Sequence, residues 1–484
     1  MALAEGKGYR LISSAAAQIL PMYPPGYPAL LAIVFRVLSD FPQNLWFLKS
    51  VSLVAMAATA PLTYRYLVEH RQLSRDVAAC GAAATVLTPA FVFLATSTLM
   101  SECVFTAFQL STVLFIERAA AVEGSGARRR CASYAGIAAA ATILTRTAGV
   151  ALFAAGALYL AKKRGWQTGS IYVVLAGVCL APWLTYSSLY APSAAERAAN
   201  GGQVSQPYSE HFWRTADGSG RIGPGEFMTR VEQNVWNMLS RDIGGIILPV
   251  VYRGPEESGQ EVIDLAIPRE GSARSMGNTP GSVALSCVLS TLMLAGFAAT
   301  IRRRMTMAEL LVPISFAVAA AWPFPTFRLV LPLTPFLLFY LVEGLKVVAG
   351  PVRIQVQAPL RIALLTIIGL HLYDNLSYVT LARDTANGRV YFADQFQEAD
   401  ELLTWMRTNL HDAGSVATDR PPLVYLLTGR KTVAIDKLDD NWERWRALGV
   451  RYVVSLAPSE LPNPSHGYRI RFQSPSRRWI IEMQ

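Results

Sequence analysis

Long apolar segments separated by short, basic loops dominate this sequence and constrain it more than any other feature. The segments run roughly over 45–64, 77–96, 99–116, 132–145, 147–161, 170–189, 282–301, 308–322, 326–345 and 360–381. In lipid, such stretches satisfy their backbone groups only as helices. The composition agrees. The chain is 52% hydrophobic and only 16% charged, where a globular domain carries about 25% charged residues. The sequence therefore predicts a polytopic all-α membrane protein with about ten transmembrane or membrane-embedded helices, embedded in a lipid bilayer.

The loops alternate in character. One set is basic: Arg65 to Arg75, Arg128-Arg129-Arg130, Lys162-Lys163-Arg164, Arg302-Arg303-Arg304 and Lys346 to Arg361. The positive-inside rule puts these in the cytoplasm. The net charge of +10 is accounted for by these loops, so no nucleic-acid partner is expected. Residues 97–101, 146 and 323–328 then fall outside, with the larger segments 1–44, 190–281 and 382–484. The predicted organisation is an outer juxtamembrane segment 1–44, transmembrane helices 45–189, a large extracytoplasmic loop 190–281, transmembrane helices 282–381 and a soluble extracytoplasmic domain 382–484. The expected location is the bacterial inner membrane, multi-pass.

Residues 132–161 admit two readings. A single long helix would bury Arg146 midway and send every later basic loop outside. A hairpin of two helices with Arg146 at its outer turn preserves the alternation, although each arm falls short of the roughly 20 residues of a full span. The hairpin is the reading adopted.

The five cysteines, Cys80, Cys103, Cys131, Cys179 and Cys287, lie in or beside apolar segments without a Cys-x-x-Cys pair. They read as small core residues. The start, MALAEGKGYRLISS, lacks the basic-then-apolar pattern of a cleavable signal. In the large loop, GEFMTRVEQNVWNML puts Phe227, Val231, Val235 and Leu239 on one stripe of an amphipathic helix, which suits either the membrane surface or the protein's own outer face. Residues 390–484 read as a small α/β domain, with helices over 394–410 and 441–447 and strands at SVAT, TVAI, RYVVSL, YRIRF and RWIIEM.

Ionic residues collect at the outer turns. Glu102 lies in TSTLMSECVFTAF, Arg146 in ILTRTAGV and Arg328 in WPFPTFRLVLPLTP. Arginines in such short outer loops run against the orienting bias and have a placement cost unless they meet an anion or water. Phosphate suits a guanidinium because the planar fork matches its oxygens. The plainer alternative is a pair of arginines snorkelling at helix ends. In PMYPPGYPALLAIVFRVL, prolines fix the backbone before a short apolar helix and hold Tyr23 and Tyr27 at the interface. His211, beside Glu210 in SEHFWR, is a candidate substrate or metal ligand, but one histidine does not make a metal site. GSGRIG follows no strand and precedes Pro224, so it is not a nucleotide fingerprint.

Taken together, LAEGKGYR, MYPPGYPALLAIVFRVL, STLMSECVF, ILTRTAGV and FRLVLPLTPFLLF, in this order, resemble the GT-C glycosyltransferases. The resemblance is to the bacterial branch of lipopolysaccharide-core galacturonosyltransferases, lipid A aminoarabinose transferases and protein O-mannosyltransferases. The C-terminal WMRTNLHDAGSVATDRPPLVYLLTGRKTVAI and LGVRYVVSL are similar to that branch's outer domain. The resemblance implies an inverting transfer of a sugar from a polyprenyl-phosphate carrier to an envelope glycan, lipid or protein acceptor on the outer face. It implies that Arg146 and Arg328 neutralise the lipid-phosphate leaving group, and that Tyr23 and Tyr27 line the cavity near the carrier. Glu102 matches an acidic position of the family. There it orients the acceptor, holds a cationic partner or binds a divalent metal ion, the one cofactor the resemblance leaves open.

The resemblance also places a transmembrane helix and a general-base aspartate ahead of LAEGKGYR, which begins here at Leu3. The expectation is a reading frame assigned too short, without that base. Two rivals stand beside the enzyme: a transporter or lipid flippase, for which paired internal repeats would be expected and none is seen, and a non-catalytic paralogue that binds the lipid carrier.

Overall fold

The computed structural model describes residues 1–14, 19–20, 23–193, 210, 212–213, 220–249, 279–350, 357–384, 393–410, 414–435 and 442–484. After a short helix, α1 (Gly26–Val37), the chain shuttles between two ends of a helical body. The passes are α2 (Leu45–Arg65, extended by a π turn over Tyr66–His70), the bent pair α3 (Arg75–Leu87) and α4 (Pro89–Ser97), α5 (Glu102–Ala121), α6 (Ser125–Thr145), α7 (Val150–Arg164) and α8 (Trp166–Leu189). A surface helix α9 (Pro224–Asn237) and a short α10 (Ile243–Ile247) follow. The passes resume with α11 (Pro280–Arg303), α12 (Ala308–Ala321), the one-turn α13 (Phe327–Val330) leading into α14 (Thr334–Ala349), and α15 (Gln357–Asp384).

Contacts between distant residues fix which termini share an end. At one end Ser97 Oγ lies 2.5 Å from Tyr378 Oη, and Ser52 of α2 faces the Met100 carbonyl just before α5. At the other end Arg164 Nε donates to the Ala120 carbonyl at 2.6 Å, Ser74 Oγ donates to Gln357 at 3.0 Å, and Arg303 pairs with Glu343 at 3.2 Å. The basic clusters predicted from the sequence share this second end. The helical body with its small α/β unit is the fold class the sequence predicts.

Among the described residues six helices are long and apolar enough to cross a membrane, or seven if α3 and α4 count as one span bent by 47°. The bend has a local cause. Pro89 disfavours helical torsions at the residue before it, and Thr88 sits at φ −50°, ψ 121°. The 132–161 hairpin is observed as two helices, α6 and α7, with Arg146 extended between them at φ −152°, ψ 135°. Gly165, at φ 83°, makes the tight turn from α7 to α8, a conformation that needs glycine's freedom. α14 is buried nearly all round from Phe336 to Glu343, as an apolar helix at the centre of a bundle must be. α9 packs on the protein's own face: Asn234 Nδ2 donates to the carbonyls of Ala320 and Trp322 at 2.9 and 2.8 Å.

The C-terminal unit carries strands β1 (Ser415–Thr418), β2 (Thr432–Ala434), β3 (Val450–Ser455), β4 (Tyr468–Gln473) and β5 (Trp479–Met483). Their order is β2-β1-β3-β5-β4, parallel across the first three and antiparallel beyond. Alternation divides the sheet into two packed faces. Val416, Val454 and Ile480 meet Leu402 and Met406 of α16 (Ala393–Asn409), while Ala417, Val453 and Ile481 meet Trp442 and Trp445 of a short helix Trp442–Ala447. A helix over Pro421–Thr428 was not expected. The N-terminal segment is tied to this unit: Thr432 N donates to the Ser13 carbonyl at 2.7 Å, and Lys431 Nζ to that of Ile12 at 2.5 Å.

Candidate functional site

Three elements converge at the end away from the basic clusters. Glu102 opens α5, Arg146 forms the turn between α6 and α7, and Arg328 lies in α13. Both guanidinium groups contact Glu102 Oε1: Arg146 through Nη1, and Arg328 through Nη2 and Nε, the last at 2.5 Å. Glu102 is fully buried, whereas the arginine side chains stay 17% and 34% exposed. Glu102 Oε2 is buried with no hydrogen-bond partner among the described residues. Two cations on one anion leave a local charge of +1 beside open space.

The sequence builds each arm differently. Arg146 ends α6, where its N–H still donates to Thr142 at 3.0 Å while its carbonyl accepts from Gly149. α1 braces this turn by close approach at Gly26, where a Cβ would stand 2.6 Å from the Leu144 carbonyl oxygen. Arg328 rides on a single helical turn anchored by Phe327 and Val330, both buried. The preceding Thr326 hydroxyl donates to Asp242 Oδ2 in a short hydrogen bond, and Arg241 Nε donates to Oδ1 at 2.9 Å. Burial pushes the Asp242 carboxyl above the ordinary aspartate value, against the pull of Arg241 and Thr326. Asp242 therefore buttresses the turn that carries Arg328. No local motif marks it, because the contact joins segments 84 residues apart.

A cavity of about 730 Å³ opens against the arginines, walled by Tyr9, Tyr23, Pro24, Tyr27, Ile143, Val318, Trp322 and Leu329 among others. Its character is largely apolar with the two guanidiniums placed in it, the usual make-up of a ligand pocket. Tyr27 is buried with its hydroxyl 3.4 Å from Ser52 Oγ, and Tyr23 is exposed at the rim. Tyr9 brings the N-terminal segment into the wall. Its carbonyl accepts from Tyr186 at 2.9 Å and its ring packs edge-on against Trp183. The structure thus brings Glu102, Arg146, Arg328, Tyr23 and Tyr27 to one place. His211 lies outside the described residues.

Among the described residues no three His, Cys, Asp or Glu side chains gather in a way that could hold a metal ion. Glu102 itself fits one poorly, because its near neighbours are two cations.

No protein-family model matches the chain, and no curated protein matches it. Among solved structures the chain is similar to the Archaeoglobus fulgidus oligosaccharyltransferase, in complex with Zn and sulfate, at 14% identity and TM-score 0.48, over 94% of this chain and 64% of that one. It is similar to ArnT from Cupriavidus metallidurans bound to undecaprenyl phosphate, at 12% identity and TM-score 0.46, over 96% and 88%. It is also similar to the arabinofuranosyltransferase AftD from Mycobacteria, at 12% identity and TM-score 0.41, over 94% and 35%. The chain spans less than two thirds of the length of the oligosaccharyltransferase.

Proposed function

We propose that this chain is a membrane glycosyltransferase that takes a sugar from a polyprenyl-phosphate carrier and delivers it to an envelope glycan, lipid or protein. The observation that carries the reading is the meeting of Arg146 and Arg328 on one oxygen of Glu102, at the wall of a large, mostly apolar cavity. Glu102 compensates one positive charge and leaves the other available. A phosphate entering the cavity meets two guanidiniums already held in place, so little rotamer freedom is lost on binding. The apolar walls suit a ligand that is part lipid.

In the proposed reaction the bond between the sugar's anomeric carbon and the phosphate oxygen breaks, and an acceptor hydroxyl oxygen bonds to the opposite face of that carbon, inverting it. The acceptor's proton leaves to a base. The negative charge that grows on the departing phosphate is stabilised by Arg146 and Arg328, whose contribution is larger in the transition state than in the ground state. Glu102 works as the positioning residue of the pair. The site is read as extracytoplasmic because Arg118, Arg164 and Arg303 crowd the opposite end.

The test is transfer from a synthetic polyprenyl-phosphate sugar to extracted envelope acceptors by the purified chain. Arg146→Ala and Arg328→Ala are each expected to lower turnover about a hundredfold, the scale for losing one preorganised donor of transition-state charge. Undiminished turnover in both variants would overturn the assignment. Movement of the carrier across liposomes without any sugar transfer would favour the flippase instead.

A further inference from the structure

A second cavity lies at the basic end, one helix length from Glu102. It has a volume of about 390 Å³ and sits where α2 and α5 terminate side by side. Its inner wall is apolar, formed by Leu62, Leu114 and Phe115, and its outer wall carries Arg65, Glu69, His70 and Arg118. Arg65 Nε donates to Glu69 at 3.1 Å. The Arg118 guanidinium has no hydrogen-bond partner among the described residues and only attracts Glu69 electrostatically. Two arginines and one glutamate leave +1 on the rim. From neighbouring elements, Arg304 and Arg71 add positive potential at His70, and Glu117 opposes them.

We infer that this cavity is a binding site for the phosphate headgroup of an anionic phospholipid. Three observations converge on that ligand. The position is right: α5 has 20 residues, and at about 1.5 Å per residue its far end lies about 30 Å from Glu102, one hydrocarbon thickness away. The walls are right: a cationic rim over an apolar interior matches a charged headgroup above acyl chains. The chemistry is right: Arg118 has donors to spare, and a phosphate takes them in a planar fork. A soluble phosphate would use the same arginines but leave the apolar wall wet.

The test uses the full chain in detergent, stripped of lipid, and measures binding of phosphatidylglycerol and of phosphatidylcholine by native mass spectrometry. Phosphatidylglycerol is expected to bind more tightly. Arg118→Ala and Arg65→Ala/Arg118→Ala are expected to weaken it by about fivefold per arginine removed, with Arg118→Lys retaining most of the affinity. Ser111→Phe, which fills the cavity without altering charge, is expected to weaken binding as well and covers the case in which the arginine variants fail to fold. Arg146→Ala is expected to leave this affinity unchanged, which separates the inference from the reading of the first site. Equal affinity for both lipids, unchanged affinity in the variants, or displacement of phosphatidylglycerol by millimolar inorganic phosphate would each overturn it.

Discussion

Arg146 and Arg328, drawn from opposite halves of the chain, end on the same oxygen of Glu102. Neither arginine belongs to a long outer loop; one is the turn of a hairpin and the other sits in a single helical turn. Their meeting depends on the fold as a whole, and a lone buried carboxylate is what makes it electrostatically tolerable.

Removing that carboxylate's charge tests its role. Glu102→Gln leaves two facing guanidiniums uncompensated, and breaking a buried pair of this kind costs about 3 kcal/mol or more. The variant is expected to unfold earlier in detergent and to turn over more slowly. Added polyprenyl phosphate is expected to raise its unfolding temperature more than it raises that of the unaltered chain, because the phosphate supplies the missing negative charge. An equal or smaller rise would show that the ligand does not contact the arginines.

Asp242 reaches the turn that carries Arg328 through Thr326. Asp242→Asn and Thr326→Val are each expected to lower kcat about tenfold with KM little changed, since a hydrogen bond to a charged group contributes about 1.5–3 kcal/mol. The double variant is expected to be no worse than the poorer single one, because both break the same contact. Additive losses measured by steady-state kinetics would mean that the two residues act independently.

A second buried pair serves as a contrast. Arg71 contacts Glu309 at 2.8 Å at the basic end, and the Tyr66 and Tyr340 hydroxyls join the same network. Arg71→Met is expected to cost about 3–5 kcal/mol in chemical unfolding, yet leave the affinity for polyprenyl phosphate at the Arg146–Arg328 site unaltered. A parallel loss of affinity would tie this end of the bundle to the first site.

Much of this was legible in the sequence because charges are conspicuous among apolar residues. Arg146 interrupts an alanine-rich run, and the need to keep basic loops on one side made it a turn; α6 and α7 break there. Arg328 and Glu102 stood out for the same reason, and the strands of the C-terminal unit showed in their β-branched and aromatic content. The contacts were not legible. Nothing local marks Asp242 as the support of Thr326, or Ser13 as the partner of Thr432 across the length of the chain. The helix over Pro421–Thr428 opens on paired prolines, which occupy its first positions, where a missing N–H does no harm. α9 offered a stripe without saying what it faced; Asn234, one helical repeat of seven after Phe227 and at the edge of that stripe, fixes it to the end of α12.

Arg146 and Arg328 are proposed to hold a lipid-linked phosphate together. Binding of undecaprenyl phosphate and of undecaprenol to the purified full chain, compared with Arg146→Ala/Arg328→Ala, tests it most directly. The unaltered chain is expected to prefer the phosphate by about a hundredfold and the double variant to bind both lipids alike, each arginine–phosphate contact being worth roughly 1.5–3 kcal/mol. A double variant that keeps the full preference for the phosphate would contradict it.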